Sequence, residues 1–377
     1  MKRILIISSD ITGHGHKSIT EALCERGRAH DDAEVHVVDG FSLGGKVLLS
    51  FGKSYGPITR HAEGLWKYIW NLSALKPEIV DHFFESLIRD NFMALLNSVK
   101  PDIILSVHPN FNGSILNILE KEQINLPFIT LIADLVNIYP LWTDNRADYI
   151  ICPTFEARDQ CIESGIEAEK LKVLGFPIRS QFFRGKYQQG SEIKQGNPFS
   201  FLIMGGGEGS GNMQTIAENL LHHFDCTVII AAGRNEKLKN KLEHSLNGRY
   251  GSRAKIYGFT NQIHDLMMAS DFIITRGSPN VMFEAIATNT PLIITGSLPG
   301  QEEGNPDFAE QHSLAVLCRN PANIKETINE LFAHDGKQLK QMLQAQRNFM
   351  KRDAAEDVLQ FILEAGEPYH EAKLKLS

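Results

Sequence analysis

The sequence predicts an α/β protein built as two doubly wound domains facing across a cleft. Three observations predict it. Short apolar runs recur along the chain, each opening into a turn rich in Gly, Ser, Pro, Asn or acidic residues and then into a helical stretch. Both halves repeat this strand–loop–helix rhythm. Between them lies a polar, Gly- and Gln-rich stretch, 184–198, which reads as a linker. At 377 residues the chain has room for two domains of ordinary size, set here at 1–185 and 195–350.

The elements follow in order. Residues 3–9 form an apolar run ending in Asp10-Ile-Thr-Gly-His-Gly-His16; a helix to about His30 and a strand Glu34–Val38 follow. Residues 41–76 break the rhythm. They hold Trp66, Trp70 and many other apolar side chains, with Lys46, Lys53, Arg60, Lys67 and Lys76 among them. That composition fits either an interfacial segment on an anionic membrane or a buried helical insertion. A helix near 78–99 leads to the strand Asp102–Val107 and the tip His108-Pro-Asn-Phe-Asn112. The strand Phe128–Ala133 ends at Asp134-Leu135, and Asp148–Cys152 and Leu171–Leu174 complete the first half. In the second half, strands at Phe199–Met204, Cys226–Ala231, Lys255–Tyr257, Asp271–Thr275 and Pro291–Thr295 alternate with helices, and 322–365 reads as helical.

Bulk composition narrows the function. Charged residues make up 22% and hydrophobic residues 42%, an ordinary globular balance. A net charge of −7 argues against wholesale nucleic-acid binding. Five cysteines, an odd number without metal spacing, fit buried thiols in a reducing cytoplasm. The basic N-terminus is too short in its apolar run for a signal peptide. No stretch reaches the roughly 18 apolar residues of a spanning helix, so membrane contact is expected to be peripheral.

Ligands of parallel sheets bind outside the carboxyl ends of the strands, so the polar tips are the candidate sites. Gly205–Gly211 lets backbone N–H groups approach an anion, with the next helix adding its positive end. The dinucleotide spacing fails there, because its third glycine falls on Ser210 or Asn212, and the Walker spacing fails too. A tight structural turn is the alternative. His16 in Gly13-His-Gly-His16 suits general-base work, against a merely solvated histidine. Zinc ligation by His14 and His16 lacks further ligands nearby, so no metal is expected. His108, Asn112 and Asp134 sit on neighbouring tips; a helix cap or loop ion pair is the alternative for Asp134. Arg276-Gly-Ser-Pro-Asn280 reads as a helix start receiving phosphate. Glu284 could bind a ribose diol or merely face the helix dipole. Gln301, Glu302 and Asn305 form a cluster suited to hexose hydroxyls, or a plain polar loop.

Taken together, Met204-Gly-Gly-Gly-Glu-Gly-Ser-Gly211, Gly258-Phe-Thr260, Arg276-Gly-Ser-Pro with Glu284-Ala285, and Pro299-Gly-Gln-Glu-Glu-Gly-Asn305 resemble the donor half of the monogalactosyldiacylglycerol synthases and processive diacylglycerol glucosyltransferases. Gly13-His-Gly-His16-Lys and His108-Pro resemble their acceptor half, and the lipid II-forming N-acetylglucosaminyltransferase is a more distant likeness. The resemblance covers about 1–365. It implies a GT-B fold of two Rossmann-like domains, with a final helix, about 352–377, packing back on the first. It implies inverting, metal-independent transfer of a hexose from UDP-glucose or UDP-galactose to a diacylglycerol-type lipid hydroxyl. The enzyme would be cytoplasmic and peripherally bound to the cell membrane, with no cofactor beyond the UDP-sugar co-substrate. By position, His16 is the expected base, with Asp134 as the second catalytic residue. Phe259 and Thr260 would hold uracil and Glu284 the ribose. Gly15, Gly206, Gly207, Arg276, Ser278 and Asn280 would line the donor site near the diphosphate, and Gln301, Glu302 and Asn305 would read the sugar.

The sequence departs from the family pattern at His14, Asn112, Ala133, Tyr139 and Gly277–Asn280, and all but the last lie in the acceptor half. The alternatives are a UDP-sugar glycosyltransferase with another lipid or small-molecule acceptor, and a UDP-sugar epimerase.

Overall fold

The computed structural model describes residues 1–12, 15–184, 198–206, 209 and 212–365, apart from the side chains of 60, 61 and 63. Most of the expected linker, and the end of the expected final helix, lie outside the described residues, as do Gly13, His14 and Gly207. The chain divides into two compact units. The first comprises Met1–Tyr55, Tyr68–Arg179 and Asp353–Ser377; the second comprises Gly56–Lys67 and Ser180–Arg352.

The first unit holds a six-stranded, all-parallel sheet. Its strands are β1 (Lys2–Ser8), β2 (Ala33–Asp39), β3 (Ile103–Ser106), β4 (Phe128–Leu131), β5 (Tyr149–Cys152) and β6 (Leu171–Val173), in the order β2-β1-β3-β4-β5-β6. Ile4 to Ile7 and Ile103 to Leu105 are fully or almost fully buried. Uninterrupted apolar runs are required of strands covered on both faces. Each such side chain taken out of water contributes about 1.5–3 kcal/mol. Chain order reverses between β1 and β3, so the crevice beyond their carboxyl ends is the topological switch point. Beside it Phe41, Phe84 and Phe111 pack edge to face, 5.1–6.0 Å between centroids. The helix Ala354–Ala365 packs on the helix Gly15–Gly27, with His30 Nε2 2.6 Å from Glu356 Oε1.

The stretch expected to break the rhythm is helical throughout: Gly40–Leu43, Gly45–His61 and Glu63–Leu75 precede the helix Pro77–Val99. The two tryptophans of this stretch are only half-exposed, and Trp70 lies against Tyr139, 4.1 Å between ring centroids. The exposed apolar residues are instead Val47, Phe51, Leu65, Tyr68, Leu72, Leu75, Ile79 and Phe83.

The second unit holds another all-parallel sheet: β7 (Phe199–Met204), β8 (Cys226–Ala231), β9 (Ala254–Tyr257), β10 (Phe272–Thr275), β11 (Leu292–Ile294) and β12 (Val316–Leu317). Their order is β12-β11-β10-β7-β8-β9, the dinucleotide-fold order with its switch point between β7 and β10. Phe201 stacks on Phe272 at 5.2 Å across this central pair. The edge strand β12 escapes the sequence reading because two residues carry no periodicity. The helical tail is broken at Ala333–Gly336, where His334, Asp335 and Gly336 turn left-handed. Among the described residues no helix is long and apolar enough to cross a membrane.

Candidate active site

At the switch point of the first sheet, the loop after β1 places His16 in the first turn of the helix Gly15–Gly27, right after Gly15. The turn after β3 brings His108 beside it, with ring centroids 4.5 Å apart. His108 Nδ1 accepts from the Asn110 N–H at 3.3 Å, which assigns the ring proton to Nε2. Nε2 lies 2.9 Å from Thr12 Oγ1, which donates to Ser9 Oγ at 2.7 Å. Burial pushes the His16 imidazole down to about 4, with the Val107 backbone acting in the opposite direction. Burial, then the neighbouring His16, hold His108 well below the ordinary histidine range. Both rings are therefore neutral at physiological pH, the form a proton acceptor needs.

Asp134, at the end of β4, is buried and accepts from Trp142 Nε1 at 2.6 Å. The Trp142 ring in turn lies 6.1 Å from His16. Asn112 secures the same turn, its Nδ2 donating to the Leu141 carbonyl at 2.9 Å. The structure thus gathers His16, His108, Asn112 and Asp134 around Trp142, with Asp134 one ring removed from His16.

In the second unit the turn after β7 carries Gly206 and Gly209 in the left-handed region, φ +69° and +60°. At Gly206 a side chain would meet nothing within 4 Å among the described residues, so its outer face is open to them. At Gly209 a Cβ would fall 1.9 Å from the Ala232 carbonyl oxygen, so only glycine fits. Asn235 closes this turn, Nδ2 donating to the Gly209 carbonyl at 3.0 Å. Phe259 and Thr260 follow β9, two strands away from β7. Phe259 is exposed, with the Arg234 guanidinium 5.5 Å from its ring centroid. Thr260 Oγ1 accepts from the Gln262 N–H at 3.1 Å.

The helix Pro279–Thr288 starts beyond β10 with Ser278 as its cap residue. No hydrogen bond from the Ser278 side chain caps it, so its first N–H groups keep their capacity for an anion. Thr275 Oγ1, Asn280 Oδ1 and Asn305 Oδ1 are buried and find no hydrogen-bond partner among the described residues. Buried polar atoms of this kind normally have partners, so a polar ligand is the natural complement. Asn305 Nδ2 donates to the Gly277 carbonyl at 2.8 Å. Glu302 Oε2 accepts from the Leu298 N–H at 2.8 Å and lies 3.6 Å from Arg276 Nη2. Arg276, Glu302 and Asn305 are thereby brought together, and Gln301 is half-buried beside them. Glu284 is buried and lies beyond the first helical turn, outside the reach of a dipole contact.

The sequence reading assigned no role to Trp142 or Arg234, whereas Gly209 lies within the expected turn Gly205–Gly211. Arg234 was open to detection, since Ala231-Ala-Gly-Arg234 is a strand tip like the others. Among the described residues no cluster of three His, Cys, Asp or Glu could hold a metal ion.

Against this geometry, comparison with known proteins identifies the chain. The family model for monogalactosyldiacylglycerol (MGDG) synthase matches residues 16–178, and that for the glycosyltransferase family 28 C-terminal domain matches 201–358. The probable MGDG synthase 2, chloroplastic, of Oryza sativa subsp. japonica is 30% identical over 352 residues, 88% of this chain and 74% of that protein. The chain belongs to the MGDG synthase family. As a member of that family it is a glycosyltransferase of glycolipid biosynthesis.

Its fold is GT-B. The Staphylococcus aureus MnaA–UDP co-structure superposes with a TM-score of 0.63 at 17% identity, covering 97% of both chains. Acinetobacter baumannii MurG superposes with a TM-score of 0.60 at 13% identity, covering 97% of this chain and 100% of that one. The curated relatives from rice and Arabidopsis thaliana are chloroplastic by name, which overturns the expected cytoplasmic place at the cell membrane.

Proposed function

We propose that the protein transfers a hexose from a UDP-sugar to the hydroxyl of a diacylglycerol-type lipid, with inversion and without a metal. The observation that carries the donor assignment is the helix start at Ser278, without a side-chain cap, together with the buried Thr275, Asn280 and Asn305 oxygens that find no partner among the described residues. The UDP in the MnaA co-structure, on the same fold, and the galactolipid named for the curated relatives support the choice of substrates. Inversion needs one in-line displacement. His16, neutral and beside His108, takes the proton of the acceptor hydroxyl as that oxygen attacks the sugar's anomeric carbon. The bond to UDP breaks, and negative charge collects on the diphosphate. The N-terminus of the helix Pro279–Thr288, Arg276 and the open backbone at Gly206 stabilise that charge in place of a metal. Phe259 and Thr260 are assigned to uracil, Glu284 to the ribose, and Gln301, Glu302 and Asn305 to the hexose. Asp134 acts through Trp142, holding the indole that borders the base.

The lipid reaches the protein from a membrane surface. Phe51 and Phe83 are exposed and both pack against Phe84, 6.0 and 5.9 Å between centroids, joining two helices into one apolar face. Exposed Lys46, Lys53 and Lys76 accompany it, a composition that suits an anionic leaflet.

The test is product analysis with a panel of UDP-sugars, with and without EDTA, and diacylglycerol in mixed micelles. A glycolipid plus free UDP, formed equally in EDTA, is the expected result and names the sugar. UDP-sugar binding without glycolipid would redirect the acceptor; no binding would overturn the reading. His16→Ala should abolish transfer while UDP binding persists, and unchanged turnover would remove His16 as base.

A further inference from the structure

The segment Gly56–Lys67 comes from the chain's first half yet groups with the second unit. What it meets there is the loop between β11 and the helix Asn305–Gln311. Lys67 Nζ lies 2.6 Å from Glu303 Oε1. Glu303 directly follows Glu302, and together with Gln301 and Asn305 they occupy one short turn. The inner side of that turn is already fixed: Glu302 accepts from the Leu298 N–H and faces Arg276, and Asn305 holds the Gly277 carbonyl. Its outer side is exposed at Glu303, and Gly300 adopts φ +86°, in the left-handed region that favours glycine. Lys67 draws the Glu303 carboxyl below the usual carboxylate range, and the Gly300 backbone adds to the effect. The lysine thus fastens the exposed Glu303 side of the loop.

Lys67 belongs to the helix Glu63–Leu75. On that helix Leu65, Tyr68, Leu72 and Leu75 recur at spacings of three and four, and all are exposed. Lys67 precedes Tyr68 by one residue, ~100° around the helix from it, and so lies off this stripe.

We infer that Lys67 is a positioning residue for the donor sugar: through Glu303 it sets the loop Pro299–Gly304 from a helix whose other face is free to meet lipid. This rests on the assignment of Gln301, Glu302 and Asn305 to the hexose. Lys67 touches no reacting atom, so its loss acts on donor affinity and leaves the chemical step intact.

The experiment is steady-state kinetics with the UDP-sugar that the wild-type enzyme uses, in mixed micelles, on Lys67→Met, Lys67→Glu, Glu303→Lys and the double reversal Lys67→Glu with Glu303→Lys. Each single variant should raise the donor KM about two- to fivefold with kcat nearly unchanged, the range of a half-exposed ion pair. The double reversal should recover most of the loss. In the wild type the donor KM should rise with added NaCl, and in Lys67→Met it should respond less. Wild-type donor KM in the single variants, or a double reversal no better than its parents, overturns the inference while leaving the transferase reading intact. A wild-type enzyme that neither binds nor turns over any UDP-sugar overturns both.

Discussion

The imidazole rings of His16 and His108 lie 4.5 Å apart at two adjoining strand ends, and both are held in the neutral form. The sequence alone places both residues on polar tips, but an ordinary histidine titrates near 6.5 and would be partly protonated. The strand order β2-β1-β3 makes the tips neighbours, and packing against one another, with Trp142 beside His16 and Phe41 and Phe111 beside His108, removes their water.

A pH dependence follows from that pair. The folded-state value of His16, about 4, lies below its unfolded value of roughly 6.5. Unfolding therefore takes up protons between those limits, and stability rises with pH there. The contribution is fully present above pH ~6.5 and is lost as pH falls toward 4, worth up to about 3 kcal/mol. Urea midpoints recorded from pH 7.5 to 4.5 should show that slope, and His16→Gln should flatten it. An equal slope in the variant would show that other groups set it. In turnover, kcat/KM should show no acidic limb near pH 6.5.

The Asp134–Trp142 bond supplies a second prediction. Trp142→Phe keeps the ring and removes the donor that Asp134 Oδ2 accepts at 2.6 Å. The buried carboxylate loses a charge-assisted hydrogen bond, a destabilisation of about 1–3 kcal/mol. With the ring beside His16 loosened, kcat should fall about tenfold, as for a misplaced positioning group. Thermal unfolding and single-turnover rates check the two effects separately. A stable variant with the wild-type rate would confine Asp134 to folding.

Much of the architecture is legible because buried parallel strands have to be apolar runs. Eleven of the twelve strands are visible that way, and their polar tips mark the candidate residues. What is hidden depends on lateral order, which no single run encodes. Nothing at Asp134 announces an indole partner eight residues away, and nothing at Lys67 announces Glu303. Residues 41–76 stay undecided for a related reason. Tryptophans are amphipathic, so composition fits an interface and a buried insertion alike, and only the structure shows that Trp70 turns inward to Tyr139 and leaves Tyr68 and the leucines outside.

The glycines of the turn after β7 should separate in a paired substitution. Gly206→Ala strains a left-handed residue but meets empty space, a destabilisation of about 1–2 kcal/mol. Gly209→Ala adds a collision with the Ala232 carbonyl and must displace the turn that Asn235 closes. Thermal unfolding should therefore show the larger loss for Gly209→Ala, with UDP binding weakened in both. Equal and small losses would mean that the turn is not set by this contact.

The last prediction concerns a cavity of about 370 Å3 in the first unit, among whose walls are Glu78, Asp81, His82, Asp144 and Arg146. Asp81 lies so close to Gly113 that a Cβ there would fall 2.2 Å from Asp81 Oδ2, and Oδ1 is buried with no hydrogen bond among the described residues. Burial first, then the charge of Asp144, push its carboxyl up to about 7, against the opposing pull of Arg146 and His82. A folded-state value raised above the unfolded one, about 3.9, means the ionised carboxylate disfavours the fold. The penalty is absent below pH ~4, grows as pH rises through the window, and is complete above 7. Asp81→Asn keeps the shape and removes the titration. It should be more stable than the wild type at pH 8 by at least about 1 kcal/mol, with the advantage shrinking as pH falls and reaching zero only near pH ~4. Urea unfolding at the two pH values decides it, since a difference that does not change with pH would trace to packing against Gly113 and not to the buried charge.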